Sequence, residues 1–277
     1  MLKISNLFFE YSTGTKAKTQ VLNGIDLTIR EGESIGLIGP NGSGKTTLGR
    51  CLNGLLLPTE GDVWVDDLNT KESANLAEIR RRVGMVFQNP ENQIVSTTVE
   101  REIAFGLENL GVPYQEMHEI VDDKLLQFDL QKYRQHPPHL LSGGEMQRLA
   151  LASVMAMSPK YLIFDEPSSL LDPASRKALL SLISELHLKS KKKEPSEQIT
   201  TLFITQYPEE VLGFDRLLVL HEGRIAFDDE PDQIFQKVDE LKELHLEVPI
   251  EYEVSHYLKK ISDEKISLNT SKFLPIP

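Results

Sequence analysis

Along the first 38 residues the apolar positions recur at strand spacing. Leu2, Ile4, Leu7 and Phe9 alternate imperfectly, whereas Gly24-Ile25-Asp26-Leu27-Thr28-Ile29 alternates cleanly, and both stretches predict strands. A turn at Glu31-Gly32-Glu33 leads into an apolar strand over residues 34–38. A glycine-rich loop follows at 39–44, and then Leu48, Cys51, Leu52 and Leu55 fall at helical spacing. Pro58 and Gly61 precede the strand-like Val63-Trp64-Val65. Residues 90 to about 141 read as charged helix, broken at Gly111-Val112-Pro113 and Pro137-Pro138, which predicts an inserted helical subdomain. Residues 161–164 form a short apolar strand that ends in Asp165-Glu166. A helix is predicted over about 173–188. The run Lys189-Ser190-Lys191-Lys192-Lys193 reads as a solvated loop before a strand at 201–205. The last strands, 217–220 and 225–227, are joined by a turn at Glu222-Gly223. After Pro231 a charged helix is expected over 232–246, followed by a sparse tail.

Composition narrows the possibilities. The chain has 277 residues, with 30 Lys and Arg against 42 Asp and Glu, for a formal charge of −12. Such acidity argues against nucleic acid as the main partner, because phosphate backbones need a basic face. A single cysteine excludes a disulfide framework and suggests a reduced, cytosolic setting. That residue, Cys51, lies on the apolar face of its helix and reads as core. No apolar run approaches the ~18 residues of a membrane helix, and no signal-peptide pattern is expected at the start. The seven histidines show no metal-ligand spacing.

Three segments carry chemistry. Gly39-Pro40-Asn41-Gly42-Ser43-Gly44-Lys45-Thr46 fits G-x-x-x-x-G-K-[ST], between an apolar strand and an amphipathic helix. Backbone N–H groups converge on phosphate oxygens only where no side chains obstruct the bend, hence the glycines. The helix N-terminus behind the loop adds positive potential. Lys45 would then reach the β- and γ-phosphates, and the Thr46 hydroxyl would ligate Mg²⁺. In the strand ending Asp165-Glu166, the first carboxylate is placed to hold Mg²⁺. The second points to the opposite face, where it can address an attacking water. In Leu141-Ser142-Gly143-Gly144-Glu145, Ser142 is a natural N-cap and the two glycines leave a helix N-terminus open to an anion. A Gly pair there is also ordinary turn chemistry. The position of this element between the phosphate loop and the acidic pair favours the anion reading.

With Gln88 in Val86-Phe87-Gln88-Asn89-Pro90 and the run Ser169-Leu170-Leu171-Asp172, five motifs stand in order, and residues 2–230 resemble an ABC-type ATPase cassette. The resemblance implies an α/β P-loop NTPase (ABC ATPase) core, with an N-terminal antiparallel β-subdomain and a helical subdomain inserted at about 90–158. Residues 1–230 would be the cassette and 231–277 a small helical C-terminal extension. It also implies that Tyr11 stacks on adenine and that Thr47 joins the residues of the phosphate loop around ATP. Gln88 would couple Mg²⁺ and water to the helical subdomain, and Asp172 would lie at a dimer interface. The stretch from Val86 through Gln93, Ile94 and Val95 to Glu108-Asn109 resembles the ATPases of energy-coupling-factor (ECF) transporters, which drive vitamin or cobalt/nickel uptake. The charged C-terminal helix and Leu246-Glu247-Val248-Pro249 resemble that family's dimerisation segment.

One phosphate loop and one signature make half an engine. By the resemblance, Leu141, Ser142, Gly143, Gly144 and Glu145 of one subunit cap the nucleotide of a second ABC ATPase subunit, identical or paralogous. The resemblance further implies an integral membrane coupling subunit gripped near Gln88–Gln93, a separate substrate-binding membrane subunit, and a peripheral location on the cytoplasmic face of the membrane. Glu166, Gln88, Lys45 and Gln206 would serve catalysis. Gln206 departs from the family, which has His after apolar-Thr. A carboxamide can donate to a phosphate oxygen but has no titratable proton. Slowed hydrolysis in this chain's own site is therefore expected. A weakly hydrolysing, ATP-gated regulatory or scaffolding module is the alternative.

Overall fold

The computed structural model describes residues 1–12, 18–194 and 197–270, with side chains to residue 262. The alternating N-terminal stretches pair as β1 (Leu2–Ser12) and β2 (Lys18–Ile29), antiparallel, with Leu2 opposite Ile29 and Ile4 opposite Leu27. On its other edge β1 takes β4 (Glu60–Val65). The short β5 (Leu68–Asn69) completes a four-stranded sheet ordered β2-β1-β4-β5. The imperfect alternation of β1 has a local cause. Register shifts fall on either side of Leu7, and Asn6 adopts φ 48. Gly61 packs against this bulge so closely that a Cβ there would lie 1.9 Å from the Asn6 carbonyl oxygen.

The apolar runs form a second sheet around β3 (Ser34–Ile38). The others are β6 (Val83–Val86), β7 (Tyr161–Asp165), β8 (Thr200–Ile204), β9 (Arg216–His221) and β10 (Arg224–Asp229), in the order β10-β9-β3-β8-β7-β6. Only β10 is antiparallel. It returns through Glu222-Gly223, both at positive φ (47 and 73), as a two-residue hairpin turn requires. Strands β3, β6, β7 and β8 are buried at every position, which is why β3, β7 and β8 read as largely apolar runs. Alternate residues feed two cores. Ile163, Leu202 and Ile204 pack with the antiparallel sheet and with Leu48, Cys51 and Leu52 of α1 (Lys45–Leu52). Leu162, Phe164 and Phe203 pack with the helices of the opposite face.

Those helices are α3 (Val99–Asn109), α4 (Tyr114–Gln127) and α5 (Gly143–Ala156), inserted between β6 and β7, and α6 (Pro173–Lys191). The break at Gly111 is a left-handed residue (φ 70) closing α3. The short α2 (Leu76–Arg82) and β6 were not anticipated. Lys189 and Lys191 belong to the last turn of α6 rather than to a solvated loop, where cations suit the exposed carbonyl ends.

The C-terminal expectation is corrected. In place of one helix over 232–246 there are α7 (Pro231–Phe235) and α8 (Val238–Glu243), because Ile234, Phe235, Val238 and Leu241 must all turn into the core. In place of a sparse tail, Ile250–Thr270 form a long helix, α9. Its Ile250, Val254, Tyr257, Leu258 and Ile261 keep helical spacing but are exposed, so no partner residues nearby in sequence advertise the helix. Residues 271–277 of the expected tail lie outside the described residues.

Phe203 is fully buried, with the Phe164 and Phe214 rings 5.5 and 5.6 Å away. Phe203→Ala is expected to lower unfolding free energy by about 3–5 kcal/mol in urea titrations, with an unchanged denaturant slope.

Candidate nucleotide site

Five parallel strands point their carboxyl ends at one edge of the sheet, where ligands of open α/β sheets bind. The segments after β3, β6, β7 and β8 emerge there, bringing residues 39–46, Gln88, Asp165-Glu166 and Gln206 to the same edge. Locally, residues 39–44 turn β3 into α1. Gly42 and Gly44 adopt φ 80 and 107, and a Cβ on Gly39 would lie 2.2 Å from the Leu220 carbonyl oxygen. The loop is also braced from behind. Gly223 N–H donates to the Ser43 carbonyl (3.1 Å), and Asn23 Nδ2 donates to the Glu222 carbonyl (2.7 Å). Neither Asn23 nor Gly223 carries a sequence signal beyond the turn itself. The Ser43 hydroxyl is buried without a partner among the described residues, which fits a loop built for a further ligand.

Charged groups converge on this loop. Lys45 Nζ donates to the carbonyls of Gly39 (2.8 Å) and Pro40 (3.1 Å). Burial pushes its pKa down, and the Glu166 and Asp165 carboxylates oppose that shift. The Thr46 hydroxyl donates to Asp165 Oδ1 at 2.7 Å. Burial raises the Asp165 pKa against the pull of Thr46, Arg50 and Lys45. Glu166 also has a raised pKa, again from burial, with Lys45 opposing. Its backbone is left-handed (φ 50), unusual for a non-glycine residue, and its N–H donates to the Ile204 carbonyl at 3.0 Å. Gln88 Nε2 donates to Glu166 Oε2 (3.3 Å) and to the Ser169 hydroxyl (3.2 Å). Ser169 as a partner of Gln88 was not foreseen.

A cleft of about 300 Å³ opens beside these groups, lined by Tyr11, Val21, Asn41, Gly42, Gly44 to Thr47 and Glu166. Tyr11 stands 37% exposed at its rim, edge-on to Phe9, with its hydroxyl 3.3 Å from that of Thr47. A planar ligand therefore has an aromatic face beside a phosphate-sized cradle. A second cleft of similar volume, between α3 and α4, holds none of these phosphate-directed groups.

The signature lies elsewhere. Leu141 is buried and Ser142 caps α5. The Ser142 hydroxyl accepts from Glu145 N–H (3.4 Å), and the Glu145 carboxylate accepts from Ser142 N–H (2.9 Å). The Tyr133 hydroxyl donates to the same carboxylate, and chiefly for that reason the Glu145 pKa falls to about 2. The Gly143-Gly144 turn packs against the start of α6, where a Cβ on Gly144 would lie 2.9 Å from the Ser175 hydroxyl. Asp172 caps α6 through Ala174 N–H (3.0 Å) and Ser175 N–H (3.1 Å). The structure thus gathers Tyr11, the phosphate loop and Glu166 at one cleft, with Gln88 and Asp165 joined to it through their bonds to Glu166 and Thr46. The signature and Asp172 meet at a second place, and neither lines that cleft. Gln206 is exposed just past β8 and does not line it either.

Residues 22–169 match the family described as ABC transporter. The energy-coupling factor transporter ATP-binding protein EcfA1 of Caldanaerobacter subterraneus subsp. tengcongensis is 42% identical over 260 residues, 94% of this chain and 91% of that protein. Among solved structures, cbiO1 from Clostridium perfringens, part of the ABC transporter complex cbiONQ, has a TM-score of 0.75 at 30% identity, covering 92% of this chain and 98% of its own. The dimeric post-hydrolysis ATP-binding cassette MJ0796, bound to ADP and Pi, has a TM-score of 0.73 at 26% identity, covering 83% and 99%.

Because folding raises the Asp165 pKa, the group adds stability only while protonated and subtracts it as pH rises through the folded value. Asp165→Asn is therefore expected to raise the melting temperature of the nucleotide-free chain near neutral pH. The gain should vanish below about pH 4, where the free aspartate is itself protonated. A pH series of melting curves checks this.

Proposed function

The chain belongs to the ABC transporter family, and from that premise we propose that it is the ATP-binding and hydrolysing subunit that energises an ECF-type importer of a micronutrient. The observation that carries the reading is the bond from Thr46 to Asp165, which joins the phosphate loop to the acidic strand end beneath one cleft that Glu166 also lines.

The residues divide the chemistry between them. Backbone N–H groups of residues 39–46 and the N-terminus of α1 cradle the phosphates, and Tyr11 stacks on the base. Lys45 exchanges its bonds to the Gly39 and Pro40 carbonyls for phosphate oxygens. Glu166, held by Gln88, orients water for in-line attack on the γ-phosphate and accepts its proton. The raised pKa of Glu166 suits that acceptance. The Thr46 hydroxyl and Asp165 carboxylate are hard oxygen donors that fit Mg²⁺, which when bound would neutralise charge on the β- and γ-phosphates.

Two cassettes are needed. A helix N-terminus such as that of α5 lies away from its own chain's cleft, so it serves a nucleotide held by a second ATPase subunit, with Asp172 beside it at the contact. The exposed apolar stripe of α9 fits the same dimer. Closure is passed on through Gln93. It accepts from Phe87 N–H (3.2 Å) and donates to the Ala150 carbonyl of α5 (3.0 Å), so the Gln88 segment moves with the signature helix. Exposed Val95, shortly after that segment, and exposed Phe105 on α3, Leu110 at its C-cap and Tyr114 at the start of α4 suit the helices of a membrane coupling subunit. Among the described residues no helix is long and apolar enough to cross a membrane. The chain would sit on the cytoplasmic face.

The exposed carboxamide of Gln206 favours a second reading, a weakly hydrolysing, ATP-gated regulatory module. Two measurements decide. Affinity purification from detergent-solubilised membranes is expected to recover an integral membrane partner, and recovery of none would sink the transport reading. Gln206→His in the purified complex is expected to raise the ATPase rate by roughly tenfold, the scale of one well-placed charged hydrogen-bonding group. An unchanged rate means the carboxamide suffices.

A further inference from the structure

Glu210 carries a buried carboxylate that the reaction described above leaves unused. Its side chain is only 1% exposed, and it lies in the short 3-10 turn Pro208–Val211 that follows β8. A buried charge persists only when it is paired and hydrogen-bonded, and Glu210 is both. Its Oε1 accepts from the Ser168 hydroxyl at 2.7 Å, and its Oε2 accepts from the Thr205 hydroxyl at 2.5 Å. The direction of the second bond follows from proton bookkeeping: Thr205 Oγ1 already accepts Tyr207 N–H (3.0 Å), so its own proton is free to go to Glu210. The guanidinium of Arg176 lies 3.9 Å from Oε1 and rests on the Tyr207 ring, 3.8 Å from its centroid. Arg176 belongs to α6, and its N–H donates to the Asp172 carbonyl (2.9 Å).

Three segments meet at this one carboxylate. Ser168 follows Glu166 by two residues, Thr205 immediately precedes Gln206, and Arg176 sits one turn into the helix that Asp172 caps. We propose that Glu210 is a positioning residue for ATP hydrolysis, clamping the segment behind Glu166 to the segment behind Gln206 so that both present to the γ-phosphate as one unit. This rests on the ATPase reading above and extends it to a group outside the cleft. Burial pushes the Glu210 pKa up, while the two hydroxyls and the Arg176 charge pull it down. Ionised, the carboxylate accepts on both oxygens. A carboxamide accepts on only one, so Glu210→Gln would force one hydroxyl to reverse its bond.

The test separates positioning from simple support of the fold. Glu210→Gln, Ser168→Ala and Thr205→Val are made in the full chain. Trinitrophenyl-ATP binding to the chain is measured, together with phosphate release by the detergent-solubilised complex. None of the three residues lines the nucleotide cleft. Binding is therefore expected to stay within about twofold of wild type, while turnover falls about tenfold for Glu210→Gln and about threefold for each hydroxyl variant. If Glu210→Gln melts below the assay temperature, Ser168→Ala and Thr205→Val decide: the first removes one bond, the second removes the bond to Glu210 and that from Tyr207 N–H, and each leaves the carboxylate paired with Arg176. Turnover within twofold of wild type in every folded variant overturns the proposal, as does a parallel loss of binding and turnover. A wild-type complex that releases no phosphate at all refutes the ATPase reading itself, and the clamp with it.

Discussion

The bond between the Thr46 hydroxyl and the Asp165 carboxylate spans the centre of the molecule. Strand β8 lies between β3 and β7, so the phosphate loop and the acidic strand end approach one another only because both leave the same edge of a twisted parallel sheet. Around that bond the electrostatics are left under tension. Burial disfavours the charge on Lys45 and on both carboxylates at once, and their mutual attraction offsets only part of that cost. A polyphosphate with its divalent cation supplies what each group lacks: anionic oxygens for the ammonium and a cation for the carboxylates. The same arrangement that costs stability in the free chain thus favours nucleotide binding.

Much of this was legible in the chain, for identifiable reasons. Strands β3, β7 and β8 read correctly because both faces need apolar residues, and the glycine-rich turn from β3 into α1 read correctly as a turn because its glycines answer to steric limits visible in composition. What escaped depended on distant partners. Asn23 and Gly223 brace the loop across two sheets, and nothing local in either residue points to Ser43. The expected tail became α9 because its apolar stripe faces outward, so its periodicity lacked the burial that usually goes with a helix. The single helix expected over 232–246 divided because four apolar residues had to reach a core whose shape the sequence does not state. Tyr133 is a further case. Only the fold brings it to Glu145, and its hydroxyl turns a carboxylate at the mouth of the signature back onto the cap of α5.

Gln206, the departure from the family pattern, and Glu145 differ in how their side chains are held. Glu145 introduces a negative charge at a helix N-terminus that is expected to face another subunit's phosphates, a position where like charge opposes binding. Its two donors, Ser142 N–H and the Tyr133 hydroxyl, tether that charge to its own chain. Gln206 has no such accommodation. It is exposed, and what is well fixed is its neighbour Thr205, bonded to Glu210. The Glu145 charge is held by bonds within the chain, whereas the Gln206 carboxamide depends on what arrives from outside.

That contrast bears on why the cassette works in pairs. Among the described residues that line the cleft, the donors are those of the loop, Lys45 and the first turn of α1, with the Tyr11 hydroxyl at the rim. The open end of α5 and the cap of α6 are held together at a separate place, by contacts as close as those of any core. Bending the chain to bring α5 onto its own cleft would break the Gln93 bonds that tie the signature helix to the Gln88 segment. On the proposed function a second subunit would complete the cleft without that cost, and its approach would displace α5 and the Gln88 segment together. The Gln93 bonds would then also be the ones that carry the closing motion outward towards a membrane partner.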